Sequence, residues 1–209
     1  MTPSAEAGSR KVGSPVSPPR ARRWVRRAWP LLILVVANAL FFWRFFTPVE
    51  RDRLAFEPGD YTETFLGFHR QTYTAFVAGR WPDWVDCLWS GYPLGADPQS
   101  QVFYPPKWVT FLGLRALGFG HFPIEALDLE VAAHYALLSL GMYGWLRDQR
   151  LRRGAAVLGA LTFAYGGYAM GYAPLQSAVL MTATWLPFLL WSVHRLARDG
   201  RPRDLGAAA

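Results

Sequence analysis

The sequence predicts an all-α, polytopic membrane protein with about four transmembrane helices and a large extracytoplasmic loop carrying an amphipathic interfacial helix. Three observations carry that prediction. Residues 154–193 run for 40 positions without a formally charged side chain, where one spanning helix needs about 20 apolar residues. Pro174 interrupts the run near its middle, so it reads as two helices in a hairpin. Basic residues cluster in three places, with seven Lys and Arg in residues 1–27, four in 147–153 and four in 195–204. Residues 50–130 invert the balance, with 11 acids against six Lys and Arg. That alternation is what the positive-inside rule gives a chain crossing a membrane four times. Finally, residues 57–107 are polar, acidic and rich in Trp, Tyr and Pro, and they lie between the apolar stretches.

Each element follows in order. Residues 1–27 read as a disordered basic cytoplasmic tail, because Ser, Pro, Gly and Ala dominate and no apolar period appears. Arg22-Arg23-Trp24-Val25-Arg26-Arg27 is the ordinary basic flank of a first span, with a twin-arginine export signal as the competing reading. No small-x-small cleavage pattern follows, so an uncleaved anchor is expected. Transmembrane helix 1 covers 28–47. Arg44 sits near its outer end, with its stem along lipid and its head toward water, and Pro48 marks the exit. Residues 48–126 form the extracytoplasmic loop with interfacial helices. Asp60-Tyr61-Thr62-Glu63 has the spacing of a capping box. Tyr61, Phe65, Phe68, Thr72 and Phe76 then recur at helical steps, predicting an amphipathic helix in the membrane interface that ends near Gly79. Residues 80–106 read as structured loop because their aromatic side chains offer area to bury. Residues 108–119 are apolar but short and contain Arg115, which suits a half-inserted or interfacial segment.

Residues 127–194 hold transmembrane helices 2–4. The second spans about 127–146 and ends at a cytoplasmic turn of Arg147, Arg150, Arg152 and Arg153. The third covers about 154–172 and the fourth about 176–193, with Pro187 placed to kink it. Gly167-Tyr168-Ala169-Met170-Gly171 is a small-xxx-small pattern that lets another helix approach. Residues 195–209 are a cytoplasmic tail. The net charge of +7 is therefore a topology signal, and no nucleic-acid partner is expected. The single cysteine, Cys87, allows no intrachain disulfide and makes no metal site. No P-loop, dinucleotide fingerprint or nucleophile elbow is present.

Chemistry is sought in the loop. Asp60, just past the first span, fits two roles: a helix cap, or a carboxylate that takes a proton from an acceptor hydroxyl or holds a divalent cation beside a phosphate. Asp97 precedes Pro98, a turn signal that gives it a structural reading beside a binding one. Gln99, Gln101 and Tyr104 are neutral hydrogen-bonding groups of the kind that hold sugar hydroxyls. Glu130 and His134 share one helix face, and His134 is a substrate-binding candidate or a plain interhelical hydrogen-bonder. His69, Asp83 and Asp86 read as solvated, His121 as a turn residue, and His194 as a neighbour of the cytoplasmic arginines.

The order of these motifs resembles the start of the bacterial YfhO-like integral membrane proteins. The matching residues are Asp60, then Gly79-Arg80-Trp81-Pro82-Asp83-Trp84, then Gly91 through Gln99, then Phe103-Tyr104-Pro105. Ala132-Ala133-His134 and Ala183-Thr184-Trp185-Leu186-Pro187 look similar too. That family is similar to the GT-C class of membrane glycosyltransferases. The resemblance implies a polyprenyl-phosphate-linked sugar donor, transfer to a cell-envelope acceptor on the outer face, and a place in the bacterial inner membrane; the charge pattern already puts both termini in the cytoplasm. It gives Asp60 the role of catalytic base or cation neighbour. Asp97, Gln99, Gln101, Tyr104 and His134 then shape the substrate pocket. Family members are much longer, so the chain is expected to be an amino-terminal portion, inactive alone. Two non-catalytic readings stand beside this one: part of a transporter or flippase for lipid-linked glycans, and a membrane assembly partner.

Overall fold

The structure is a computed structural model that describes residues 20–56, 58–171 and 174–200. Most of the two expected tails, residues 1–19 and 201–209, lies outside the described residues. Helix is the only repeating structure among them, in eight α-helices: α1 (Arg20–Phe46), α2 (Leu66–Val77), α3 (Pro105–Ala116), α4 (Ile124–Asp148), α5 (Arg153–Ala164), α6 (Gly167–Gly171), α7 (Ser177–Thr184) and α8 (Leu186–Asp199). A lone antiparallel bridge joins Val85 to Tyr92.

Two stretches are long and apolar enough to cross a membrane, Ala28–Phe46 and Ser177–Arg198. Only 17% of the first apolar window and 33% of the second is buried in the protein. Neither is therefore an ordinary core helix, and Leu32, Val35, Leu40 and Trp43 face outward from α1. The other two expected spans do not meet the same measure. Helix α4 is long enough, but Glu125, Asp128, Glu130 and His134 in its first half lower its hydropathy. The third expected span is broken, because α5 ends at Ala164 and α6 begins at Gly167. At the break a Cβ on Gly166 would sit 2.6 Å from the Thr162 carbonyl oxygen, so only glycine fits there. The fourth also divides, at Trp185, with Pro187 opening α8 as proline can in a first helical turn.

Helix α4 is the hub and packs against α1, α5, α7 and α8. Its Gly141 and Gly144 accept the rings of Phe188 and Trp191 from α8, an approach that any Cβ would block. Asn38 of α1 donates to the Ala132 carbonyl and the Tyr165 hydroxyl, both at 3.1 Å. No neighbour of the chain lies within 4 Å of a Cβ built on Gly167 or Gly171, so the small-xxx-small pattern seats no helix among the described residues.

The segment between α1 and α4 corrects several expectations. The aromatic stripe of α2 faces the protein: Tyr61, Phe65, Phe68 and Thr72 are all buried. Phe65 and Phe68 pack with Val85, Leu94 and Val102, and Tyr61 with the α4 cluster; burial there outcompetes an interfacial position, because the apolar partners are already at hand within the chain. Arg44 does not simply reach for water; its Nε donates to the Asp52 carbonyl at 2.8 Å and closes the turn after α1. The loop over 80–106 builds its own small core from Phe65, Phe68, Val85, Leu94 and Val102, with Tyr92 stacked on Phe68 at 5.5 Å. Trp81, Trp84, Trp89 and Phe103 nevertheless remain mostly exposed.

Candidate functional site

A groove of about 1660 Å³ runs between the 98–106 loop with the start of α3, the middle of α4, and α7 with α8. Val109, Leu129, Leu137, Val179, Leu186 and Leu189 give it apolar walls. Among the described residues that line it there is no Lys or Arg, and Glu130 is the one acid. Such a surface suits a hydrocarbon chain and neutral hydrogen-bonding groups, and it offers an anion no counter-charge.

Its polar end is built from three separate elements. Pro105 and Pro106 open α3 and hold Tyr104 extended before it, which aims the phenol at α4. The Tyr104 hydroxyl lies 2.7 Å from His134 Nε2 and accepts from Trp185 Nε1 at 2.9 Å. His134 Nδ1 lies 2.6 Å from the Glu130 carbonyl oxygen. A carbonyl only accepts, so Nδ1 carries the hydrogen, and in the neutral ring Nε2 accepts from the phenol. Burial holds the Tyr104 phenol proton up to about 12. The node therefore presents a protonated phenol whose remaining oxygen lone pair is free for a ligand hydroxyl.

Behind that wall lies a buried ionisable cluster. His69 on α2 places Nε2 3.1 Å from Glu130 Oε2, and its Nδ1 is 2.8 Å from the Phe65 carbonyl oxygen. Lys107 on α3 is buried, with Nζ donating to the Ser100 carbonyl at 2.6 Å and 5.7 Å from the Phe111 ring centre. Burial pushes the Lys107 amine down to about 7 against the opposing pull of Glu130. Burial also lowers His69, with the Lys107 charge adding to it and Glu130 opposing. Glu130 Oε1 is buried without a hydrogen-bond partner. On the neighbouring turn the Tyr61 hydroxyl donates to Asp128 at 2.7 Å.

The sequence candidates separate into groups. Gln99, Tyr104 and His134 line the groove together. Asp60 stands at its rim and accepts from Gln176 Nε2 across 116 residues of chain; Gln176 is itself a lining residue. Asp60 does not cap the following helix. The Gly59 carbonyl takes the first amides, from Thr62 at 3.0 Å and Glu63 at 2.8 Å, in a wider π-type turn that leaves the carboxylate free of the backbone. Asp97 keeps its structural role: its side chain accepts from Tyr92 at 2.6 Å and from the Gln99 amide at 2.9 Å. Gln101 is buried outside the lining, in a left-handed backbone conformation with φ 57°, and its Oε1 has no partner.

His69 is buried and paired, contrary to its solvated reading, whereas Asp83 and Asp86 are exposed as expected. No local sequence pattern marks Lys107 as a site residue. One signal was available: the chain holds only two lysines, Lys11 and Lys107, among its 22 basic residues, and lysine is the cation that can shed its charge on burial. Among the described residues, no group of three or more His, Cys, Asp or Glu side chains is placed to hold a metal ion. Comparison with protein-family models, with curated proteins and with solved structures gives no match to this chain.

Proposed function

We propose that this chain is the amino-terminal part of a YfhO-like membrane glycosyltransferase of the GT-C type. It would work in a bacterial inner membrane with four spans and both termini cytoplasmic, and move a sugar from a polyprenyl-phosphate carrier to a cell-envelope acceptor. The observation that carries this reading is the hydrogen bond between Asp60 and Gln176. It sets an exposed carboxylate at the rim of an apolar groove flanked by a membrane-length helix. The groove takes the hydrocarbon chain of the carrier, and Gln99, Tyr104, His134 and Gln176 meet neutral hydroxyls. The phosphate lies beyond the rim, because no cation lines the groove. Asp60 accepts the acceptor's hydroxyl proton as that oxygen bonds to the anomeric carbon, while the bond from that carbon to the carrier phosphate breaks and the phosphate leaves with the electron pair. Asp97 and Gln101 support the loop that presents Gln99 and Tyr104.

Asp60→Asn, introduced at the gene's own locus, tests the reading. Glycan transfer is expected to be lost with protein level unchanged; undiminished transfer removes Asp60 from the chemistry. A groove lining without Lys or Arg also favours a second reading, a non-catalytic part that only holds the carrier. Retained binding of polyprenyl phosphate with no transfer by any form of the protein would select it.

A further inference from the structure

The His69–Glu130 contact leaves a proton to be accounted for. His69 Nδ1 faces the Phe65 carbonyl at 2.8 Å, and a carbonyl cannot donate, so the hydrogen on that side belongs to the ring. In a neutral imidazole Nε2 then offers only a lone pair. Yet Nε2 stands 3.1 Å from Glu130 Oε2, and a carboxylate offers only lone pairs as well. Two acceptors do not hold that distance in a buried site without a hydrogen between them. The pair therefore contains one proton more than a neutral histidine and an ionised glutamate would.

Lys107 completes the count. Its Nζ makes no ion pair with Glu130 within 4.0 Å, and its acceptor is the Ser100 carbonyl, a bond that an amine makes as well as an ammonium. With the proton held between His69 and Glu130, a charged Lys107 would leave the cluster with a net positive charge on side chains that are almost wholly buried. A neutral Lys107 leaves it uncharged, which is the state that burial favours. The other titratable groups around it are Tyr61 before α2, Tyr104 in the loop, and His134 on α4, all of which feel Glu130. Tyr61 is engaged by Asp128, and none of these groups reaches the His69–Glu130 contact with a hydrogen bond.

We infer that His69, Lys107 and Glu130 form a charge-neutral proton-binding site, with one proton shared between His69 and Glu130 that fastens α2 to α4 and with Lys107 as a free amine that ties α3 to the Ser100 carbonyl. The burial-driven fall of the Lys107 amine to about 7 agrees with this. Acidification protonates Lys107, places a positive charge in the site and loosens the fastening. The sign follows from linkage. The unfolded chain keeps the lysine proton up to the ordinary lysine range while the folded chain releases it near 7, so stability from this group rises with pH between those values and is lowest below 7.

The test is thermal unfolding of the purified chain in detergent from pH 5.5 to 8.5, with Lys107→Met and Glu130→Gln. Glutamine keeps a donor for His69 Nε2 and carries no titratable proton. At pH 7.5 Glu130→Gln is expected to melt within about 2 °C of the parent, less than a modest core defect would cause in a chain of this size; Lys107→Met removes the buried amine together with the donor to the Ser100 carbonyl, so it is read by its pH dependence and not by its absolute Tm. Lys107→Met should lose most of the fall in Tm on acidification. The opposite arrangement, an ammonium balanced by an ionised Glu130, predicts that either single variant strands a buried charge and melts well below the parent, and that the double variant recovers. That pattern overturns the proposal. Should Lys107→Met fail to fold, Glu130→Gln decides alone: an unchanged Tm upholds the neutral site, and a large loss refutes it.

Discussion

Replacing Gly141 by Ala perturbs the seam between α4 and α8 in a way that can be worked out from the geometry. The added Cβ would lie 2.5 Å from Phe188 Cε2, 2.8 Å from Cζ and 3.0 Å from Cδ2. Comfortable carbon–carbon contact begins at roughly 3.5 Å, so the ring must retreat by about 1 Å. Overpacking of this kind costs about 1–3 kcal/mol. Against it stands the helix propensity of alanine, worth about 1 kcal/mol over glycine in a helix interior. The net expectation is a loss of about 1 kcal/mol, which lowers Tm by about 2–4 °C in a chain of this size. Phe188 also lines the groove, so a ring that yields swings into it and narrows it. Thermal melts of Gly141→Ala, Phe188→Leu and the double variant separate the two terms. In the Phe188→Leu background the two shortest contacts, to Cε2 and Cζ, are gone, and Gly141→Ala should then raise stability by up to the propensity difference. If Gly141→Ala stabilises the parent as much as it stabilises Phe188→Leu, the ring does not press on Gly141 and the reasoning fails.

Two further outcomes follow from the same structure. Tyr61→Phe removes the 2.7 Å hydrogen bond to Asp128 and strands a buried carboxylate oxygen, so a loss of about 1–3 kcal/mol is expected; an unchanged melting curve would show that the bond contributes nothing. Gly91→Ala combines a φ of +116° with a Cβ placed 2.7 Å from Trp84 Cζ2. It should loosen the Val85–Tyr92 bridge and raise the rate at which an impermeant thiol reagent modifies the exposed Cys87, whereas an unaltered rate would mean that the loop accommodates the methyl.

Much of the helical layout could be read from the chain because it depends on local pattern. The apolar run of α1 and the Asp97-Pro98 turn are set by residues within a few positions of one another, whereas the start of α3 at Pro105 lies inside the stretch that reads as loop. The divisions within 154–198 were harder to see. The gap between α5 and α6 turns on Gly166 meeting a carbonyl one turn back, and hydropathy does not register such a contact. The site was legible in part. Gln99, Tyr104 and His134 were singled out one by one for their chemistry, but their convergence depends on α4 returning past the loop. The buried cluster was invisible for the same reason: His69 and Glu130 are 61 residues apart, and no periodicity in α2 distinguishes a histidine that meets a carboxylate from one that meets water. Asp60 illustrates the reverse error. Its spacing to Glu63 satisfies the capping-box pattern, yet the backbone closes a wider turn and the carboxylate is taken by Gln176 instead.

Asn38 carries a consequence for how the protein is made. It is the one polar side chain in residues 28–43, and its two acceptors, Ala132 and Tyr165, lie 94 and 127 residues later in the chain. While the ribosome is still adding those residues, the nascent first helix holds a donor that no part of the chain yet answers. Its rotation about its own axis stays undetermined until the later helices arrive, and the amide then selects one azimuth out of many that oily side chains alone would tolerate.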